Sequence, residues 1–191
     1  IKAIYVSANK VDDYLAYTEK LSTARVSAGD RDSISYQAAE NLYMEGDCAN
    51  AVIGFEQYLN KYPKGIFFVN ADYYLADCLN KSGRKTEALK HYEAVIENPK
   101  NVFTEKSLLK AAELNLEAKN YEKAERLYNR LEAIAEVSTH KLLASDGQMQ
   151  CCLHLSKFDS ATMYANKLLS LEKVDETVKE RATYILAKSL L

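Results

Sequence analysis

The 191-residue sequence is poor in residues that interrupt helices, with only two prolines and six glycines, a composition that favours long helices. No apolar stretch is long enough to cross a bilayer, which excludes membrane insertion by this sequence. A charge excess of one sign is also lacking, because 25 basic residues stand against 27 acidic ones and no run of like charges reaches five. The sequence therefore lacks the basic footprint of a nucleic-acid-binding protein. With 48% hydrophobic residues it is too apolar for a disordered chain.

Motifs for catalysis or metal binding are missing as well. The cysteines, at positions 48, 78, 151 and 152, form no CxxC pair and no zinc-binding pattern. We expect all four to be small buried residues with free thiols, which are typical of a reducing compartment. The histidines, at positions 91, 140 and 154, have no metal-ligand spacing on one helix face, and we expect them to pack or to lie at the surface. The sequence thus predicts no enzymatic activity, metal site or cofactor.

An internal repeat is the strongest positive signal. Alanine recurs in steps of 37, 36 and 37 residues, at Ala51, Ala88, Ala124 and Ala161. Three of these alanines have an aromatic residue four places on: Phe55, Tyr92 and Tyr128. A period of this length, with a small residue and then a ring, is typical of stacked helical hairpins. We therefore expect the alanines to lie where paired helices approach closely and the rings to be buried.

The same period predicts how the chain is organised. We expect one domain over residues 1–191, an all-α fold of about eleven antiparallel helices. A partial unit lies at 1–21 and a connector at 22–32, followed by helical pairs at about 32–67, 68–103, 104–139 and 140–175 and a final helix at 176–191. The missing initiator methionine and the apolar end of this last helix predict a fragment of a larger protein.

Caps and turns complete the prediction of helix boundaries. Asn9 and Asp32 are predicted to cap helices, because short polar side chains accept hydrogen bonds from free backbone N–H groups. Gly46 and Gly83 supply the left-handed backbone that a tight turn between helices requires. Asn120 tolerates the same conformation, whereas the turn near Ser156 has no residue suited to it.

A resemblance to the tetratricopeptide repeat is carried by residues 46–55 (GDCANAVIGF), followed by Tyr62 and Pro63. The first two pairs match that family's pattern of small, glycine, aromatic and proline positions best. The third pair lacks the glycine and the proline, and the fourth has Ala165 in place of the ring. The resemblance implies a right-handed α-α superhelix, the tetratricopeptide solenoid, that serves as a scaffold.

Residues 62–63 and 70–76 are similar to bacterial cell-envelope members of the family, including outer-membrane assembly lipoproteins, the Tol–Pal coordination protein and repeat proteins of Bacteroidetes. This similarity implies the cell envelope or the periplasm. The free thiols expected above are instead typical of a reducing compartment, so the cytoplasm stays open as an alternative.

The family's fold implies that the first helix of each pair lines an inner groove. Counting at equal phase predicts these groove residues: Tyr36, Glu40, Tyr43, Tyr73, Asp77, Leu109, Glu113, Asp146, Gln150 and Tyr184. Asn80, Glu117 and Lys188 continue the series. Members of the family that hold a chaperone's acidic tail use Lys, Asn and Arg at these positions. The tyrosines and acids found here would repel such a tail.

The leading hypothesis is a scaffold that binds a peptide or a partner helix of another protein in this groove. A purely architectural spacer within a longer repeat array is the first alternative. A regulator that binds a small molecule is the second.

Overall fold

The computed structural model describes residues 1–7, 10–21, 26–171 and 174–189. This part of the chain forms eleven α-helices and no strand, which confirms the all-α prediction. The helices are α1 Lys2–Ser7, α2 Val11–Glu19, α3 Ala28–Met44, α4 Cys48–Lys61, α5 Phe68–Lys81, α6 Lys85–Glu97, α7 Thr104–Glu117, α8 Tyr121–Ile134, α9 Ser138–His154, α10 Phe158–Leu169 and α11 Glu176–Ser189. They fall into two compact units, Ile1–Pro99 and Lys100–Leu191. The single domain over 1–191 stays a prediction.

Unit 1 contains α1 to α6. Helices α3 and α4 form one antiparallel pair, α5 and α6 form the next, and α4 also packs against α5. Helices α1 and α2 cover α3 through an apolar cluster, whose buried members are Val6, Val11, Leu15, Ile34 and Ala38. The amphipathic spacing of α1 and α2 thus buries their apolar faces against the first of the two-helix repeats that follow.

Unit 2 contains α7 to α11. Helix α8 packs between α7 and α9, and α10 packs between α9 and α11. The core at the carboxyl end is formed by Met149, Cys152, Ala161, Ala165, Leu168, Val178, Ala182 and Ile185. Helix α11 therefore occupies the place of a first helix in the repeat, as its sequence phase predicts.

The periodic alanines are buried at the contact between paired helices. Ala51, Ala88, Ala124 and Ala161 have no exposed surface. The rings four places on are buried as well, which confirms the predicted core. The closeness of one pair is visible at Gly54, where an added Cβ would lie 2.9 Å from the Cβ of Ala39. Residues larger than alanine would force such helices apart.

The turns within the four pairs share one backbone conformation. Gly46 and Gly83 have φ values of 81° and 79°, as predicted, but the third and fourth turns use Lys119 (φ 61°) and Ser156 (φ 57°). The prediction of Asn120 in this role was wrong by one residue. Each turn is closed by a hydrogen bond from the next residue's N–H to a carbonyl five residues back, for example Asp47 N to Leu42 O at 2.9 Å. The turn geometry follows from how the helices must pair, so residues other than glycine adopt it.

Asp32 is not the helix cap that the sequence predicts. Helix α3 begins at Ala28 and is capped by Ser27, whose hydroxyl accepts the N–H of Asp30 at 3.1 Å. Asp32 is instead buried within α3, where its carboxylate accepts the Tyr58 hydroxyl and the N–H of Ile66 at 2.8 Å. The predicted connector at 22–32 therefore ends before Ala28. The other predicted cap, Asn9, lies outside the described residues.

A disulfide joins Cys48 to Cys78, with their Cα atoms 5.1 Å apart. The expectation of four free thiols was therefore wrong for these two. Helices α4 and α5 run antiparallel, so the start of α4 lies beside the end of α5 and brings the two sulfurs together. Cys151 and Cys152 are free and buried, as predicted. Burial raises the pKa of the Cys151 thiol to about 12 and that of the Cys152 thiol to about 11.

Candidate functional site

The predicted groove residues of unit 1 begin with Tyr36 and Glu40 on α3. Tyr36 is only 3% exposed, and its ring stacks on Phe67 with centroids 4.4 Å apart. Its hydroxyl donates a hydrogen bond to Glu40 at 2.7 Å. Burial and this bond to a carboxylate raise the pKa of Tyr36 above its ordinary value. Tyr36 is thus part of the unit 1 core and offers a partner no contact area, contrary to its predicted role.

The other three predicted residues of unit 1 form a small network with Lys81. The Tyr43 hydroxyl donates to Asp77 at 2.8 Å, and the Lys81 ammonium lies 2.6 Å from the same carboxylate oxygen. Lys81 also lies over the Tyr43 ring, 5.2 Å from its centroid. Burial, followed by the charge of Asp77, raises the pKa of Tyr73 to about 12. The acid predicted for this part of the groove is therefore already neutralised within the protein.

In unit 2 the predicted residues converge on one cavity. Five of them, from the first helices α7 and α9, line a cavity of ≈ 220 Å³: Leu109, Glu113, Glu117, Asp146 and Gln150. Leu116, Tyr128, Leu143 and Gly147 complete its wall. We call this site the α7–α9 cavity. Repeat phase alone, applied to two helices more than twenty residues apart, thus selects side chains that meet in space.

The carboxylates of the α7–α9 cavity differ in how they are held. Asp146 is buried, accepts an Arg181 N–H at 2.7 Å and accepts the Gln150 amide at 3.2 Å. Glu113 is half-exposed and pairs with Lys110 at 2.8 Å. A pair of that kind contributes only about 0–1 kcal/mol, so it can be exchanged for another cation at little cost. The cavity therefore has one fixed acid and one adaptable acid.

Tyr128 forms the floor of the cavity. It is 3% exposed, and the tip of its ring lies against Gly147, where an added Cβ would be 2.2 Å from Cζ. Burial raises the pKa of Tyr128, and the nearby carboxylates, Glu113 first among them, raise it further. Its hydroxyl forms no hydrogen bond with any residue in the described part of the chain. Gly147 is thus needed so that this ring can lie across α9 and face the cavity.

Tyr184 stands apart from these sites. It lies on α11, is 62% exposed and is not among the residues that line the α7–α9 cavity. Its ring lies at the surface of unit 2.

The histidines all have structural partners. His91 Nδ1 lies 2.7 Å from Asp72, His140 Nδ1 lies 2.7 Å from Glu105, and the His154 ring stacks on Tyr121. These contacts agree with the predicted packing and surface roles. Within residues 1–7, 10–21, 26–171 and 174–189, no group of three or more His, Cys, Asp and Glu side chains could hold a metal ion. In the same ranges no helix combines the length and the apolar character needed to cross a membrane.

Glu105 connects α7 to the start of α9. It accepts hydrogen bonds from His140 and, at 2.9 Å, from the backbone N–H of Glu136. Burial alone would raise its pKa, but the bonds from His140 and from the backbone N–H groups of Glu136 and Val137 outweigh burial and hold the pKa below its ordinary value. The interaction therefore stabilises the folded state while Glu105 is ionised.

The floor and the rim of the cavity are not predicted from the sequence. Tyr128 is predicted only as a core ring, and Leu116, Leu143 and Gly147 are not predicted to line a site. One signal for the floor was present, because Gly147 lies in the middle of a helix directly after Asp146. A helical glycine often marks a close approach by another group.

Two comparisons with known proteins support a repeat type. The tetratricopeptide repeat family model matches residues 34–65 and 70–101, which correspond to the pairs α3–α4 and α5–α6. A tetratricopeptide repeat protein from Parabacteroides merdae has a similar structure, with a TM-score of 0.63 and 16% identity over 99% of this chain and 73% of its own. A second similar structure contains TPR-like repeats described as those of a kinesin light chain from Podosopora anserina. Its TM-score is 0.54 and its sequence identity is 14%, over 98% of this chain and 92% of its own. No curated protein sequence matches significantly.

These findings support the tetratricopeptide repeat class, with a Bacteroidetes protein among the similar structures. Repeats of this class generally mediate protein–protein interaction and are typically non-enzymatic. The likeness to the solved structures shows the fold alone. The cell-envelope type, the exclusion of nucleic acid and the use of the groove stay predictions.

Proposed function

We propose that this chain is a protein-interaction module that holds a peptide or a helix of a partner protein on its first helices. The α7–α9 cavity supports this proposal most directly. Two successive first helices contribute side chains to one concavity, which is how stacked repeats build an extended binding surface. The cavity combines leucines with carboxylates and an amide, a mixture suited to orienting a peptide side chain.

The unit 1 network is a weaker candidate for partner contact. Tyr43 and Asp77 satisfy each other, and Lys81 neutralises the acid. A partner would have to break these bonds without a compensating gain. We therefore place the primary contact in unit 2.

An architectural role is the second candidate, and exposed apolar residues on the second helices favour it. Ile53 on α4 and Phe158 and Met163 on α10 are 50%, 46% and 55% exposed. A spacer would pack this side of the pairs on a neighbouring domain. Single exposed apolar residues are nonetheless common on protein surfaces, so this observation carries less weight than the cavity.

Site-specific photo-crosslinking distinguishes the two functions. A photoreactive amino acid replaces Leu143 at the cavity rim in one variant and the exposed Arg126 on the second helix α8 in another. Incubation with extract of the source cells should yield a reproducible crosslinked protein from position 143 and none from position 126. Crosslinks only from position 126 would favour the spacer. No crosslink from position 143 under conditions that preserve helicity would refute the proposal.

A further inference from the structure

We propose that the α7–α9 cavity binds a long basic side chain, lysine or arginine, presented by the partner peptide. This inference rests on the proposed function and adds the chemistry of the partner. Three features of the cavity carry it: its size, its apolar wall and the polar groups that face it.

The size of the cavity limits what it can hold. At ≈ 220 Å³ it is smaller than the roughly 300–1,000 Å³ of sites that take drug-sized ligands. A single extended side chain fits this volume, whereas a drug-sized ligand or the face of a helix does not. The occupant is therefore one residue of a longer segment that lies across α7 and α9.

The apolar wall suits the stem of a basic residue. Leu109, Leu116 and Leu143 line the cavity, and Leu143 is 37% exposed at its rim. Lysine and arginine side chains carry three or four methylene groups that pack on apolar surface while the charged head reaches a polar site. The leucines would cover this stem and exclude water from it.

The polar groups suit the head of the same residue. Glu113, Glu117 and Asp146 supply carboxylates, and none of the residues lining the cavity is basic. Asp146 is held by Arg181 from outside the lining, whereas the exposed pair of Glu113 with Lys110 can be exchanged for another cation at little cost. The Tyr128 side chain, 3% exposed, lines the same space, and its hydroxyl has no hydrogen bond in the described part of the chain. An ammonium or guanidinium group donates several hydrogen bonds and accepts none, so it matches this set of acceptors.

Other partners fit the cavity less well. An acidic side chain would have to enter beside Glu113, Glu117 and Asp146 and compete with Glu113 and Asp146 for Lys110 and Arg181, which is unfavourable. A purely apolar side chain would remove water from Glu113 and from the Tyr128 hydroxyl without replacing its hydrogen bonds.

A selection from a random-peptide display library tests the inference on the intact chain. We expect the peptides recovered on the wild-type protein to be enriched in lysine or arginine beside an apolar residue. A recovered peptide is then compared with its norleucine analogue, which keeps the alkyl stem and loses the charge. The analogue should bind about tenfold or more weakly, because hydrogen bonds to a charged group are lost.

Two conservative variants locate the site. Glu113→Gln removes one charge and Tyr128→Phe removes one hydroxyl, and both preserve shape. Each should weaken the basic peptide about tenfold while leaving the norleucine analogue within about twofold. Glu180→Gln is the matched control, because Glu180 is exposed on α11 and does not line the cavity. The circular dichroism spectrum and the unfolding midpoint of each variant verify that it is folded.

The outcomes separate this inference from the proposed function. Recovery of no peptide by the wild-type protein would count against both. Recovery of acidic or uncharged peptides would overturn the basic side chain and leave the interaction module standing. Basic peptides whose affinity is unaffected by Glu113→Gln and Tyr128→Phe would place their binding outside the cavity and would also overturn the inference.

Discussion

Lys119 and Ser156 hold a backbone conformation that glycine adopts without strain, and both can be replaced without loss of packing. Their φ values of 61° and 57° place them in the left-handed region. Both side chains are exposed. The equivalent turns in unit 1 have Gly46 and Gly83 at the same point of the repeat. Lys119→Gly and Ser156→Gly should therefore stabilise unit 2.

The expected gain follows from two opposing terms. A residue other than glycine in the left-handed region is disfavoured by roughly 1–2 kcal/mol. Glycine lowers the free energy of unfolding by roughly 0.5–1 kcal/mol, because the unfolded chain gains conformational freedom. Each substitution should therefore raise the free energy of unfolding by about 0.5–1 kcal/mol. The two together should add, since they lie in separate turns.

The reverse substitutions provide a matched control. Gly46→Ala and Gly83→Ala place a Cβ where no heavy atom lies within 4 Å, so any cost comes from the backbone alone. Each should lower the free energy of unfolding by about 1 kcal/mol. Gly29→Ala, within helix α3 and equally free of neighbours, should be neutral or slightly stabilising.

Urea unfolding followed by circular dichroism measures all five variants. The midpoint should rise for the two glycine variants and fall for the Gly46 and Gly83 variants, with little change in slope. A lower midpoint for Ser156→Gly and Lys119→Gly, or no effect of Gly46→Ala, would show that these turns do not require left-handed backbone. The four pairs would then not share one turn conformation with a common energetic requirement.

Three further outcomes are expected. Reduction of the Cys48–Cys78 disulfide, which closes 30 residues, should lower the free energy of unfolding by about 3–4 kcal/mol. Urea unfolding with and without reductant measures this, and a variant with alanine at both positions should not respond. Gly54→Ala should cost about 1–3 kcal/mol by overpacking, against no loss for Gly29→Ala in the same assay. Because the lowered pKa of Glu105 stabilises the fold in full only above the ordinary carboxyl pKa, Glu105→Gln should destabilise near pH 7. Thermal unfolding should show that difference shrinking as the pH falls below the ordinary carboxyl pKa of about 4.3 and vanishing once the pH is also below the lowered pKa of Glu105, and a difference that does not shrink on acidification would contradict the assignment.

Much of the fold could be predicted because its signals are local. The apolar spacing and the repeat period place the four helical pairs and the final helix to within a few residues, except at the start of α3. That start was missed because Asp32, a good cap by residue type, is recruited into the core by Tyr58 on another helix. The residue type of Asp32 favours a helix cap, but its buried hydrogen bonds to Tyr58 and Ile66 place it inside α3.

The candidate site was predictable only in part. Repeat phase finds the side chains that lie at equivalent angles on α7 and α9, so five cavity residues follow from counting. Repeat phase does not reveal how deeply neighbouring helices cover each position. Tyr36 was for this reason predicted to line the groove, although it is buried in the core. Repeat phase also does not reveal that Gly147 leaves room for the Tyr128 ring to turn toward the same space.

The repeat, the helical class and the buried alanines follow from local patterns in the chain, because the period of 36 or 37 residues and the 3.6-residue turn of a helix are both visible in the order of residues. The bond between Cys48 and Cys78, the left-handed turn at Lys119 and the position of Tyr128 at the floor of a cavity depend on how the helices pack. Each of these depends on the distance and angle between packed helices. Those quantities are set by the sum of many side-chain contacts, which no single stretch of sequence contains.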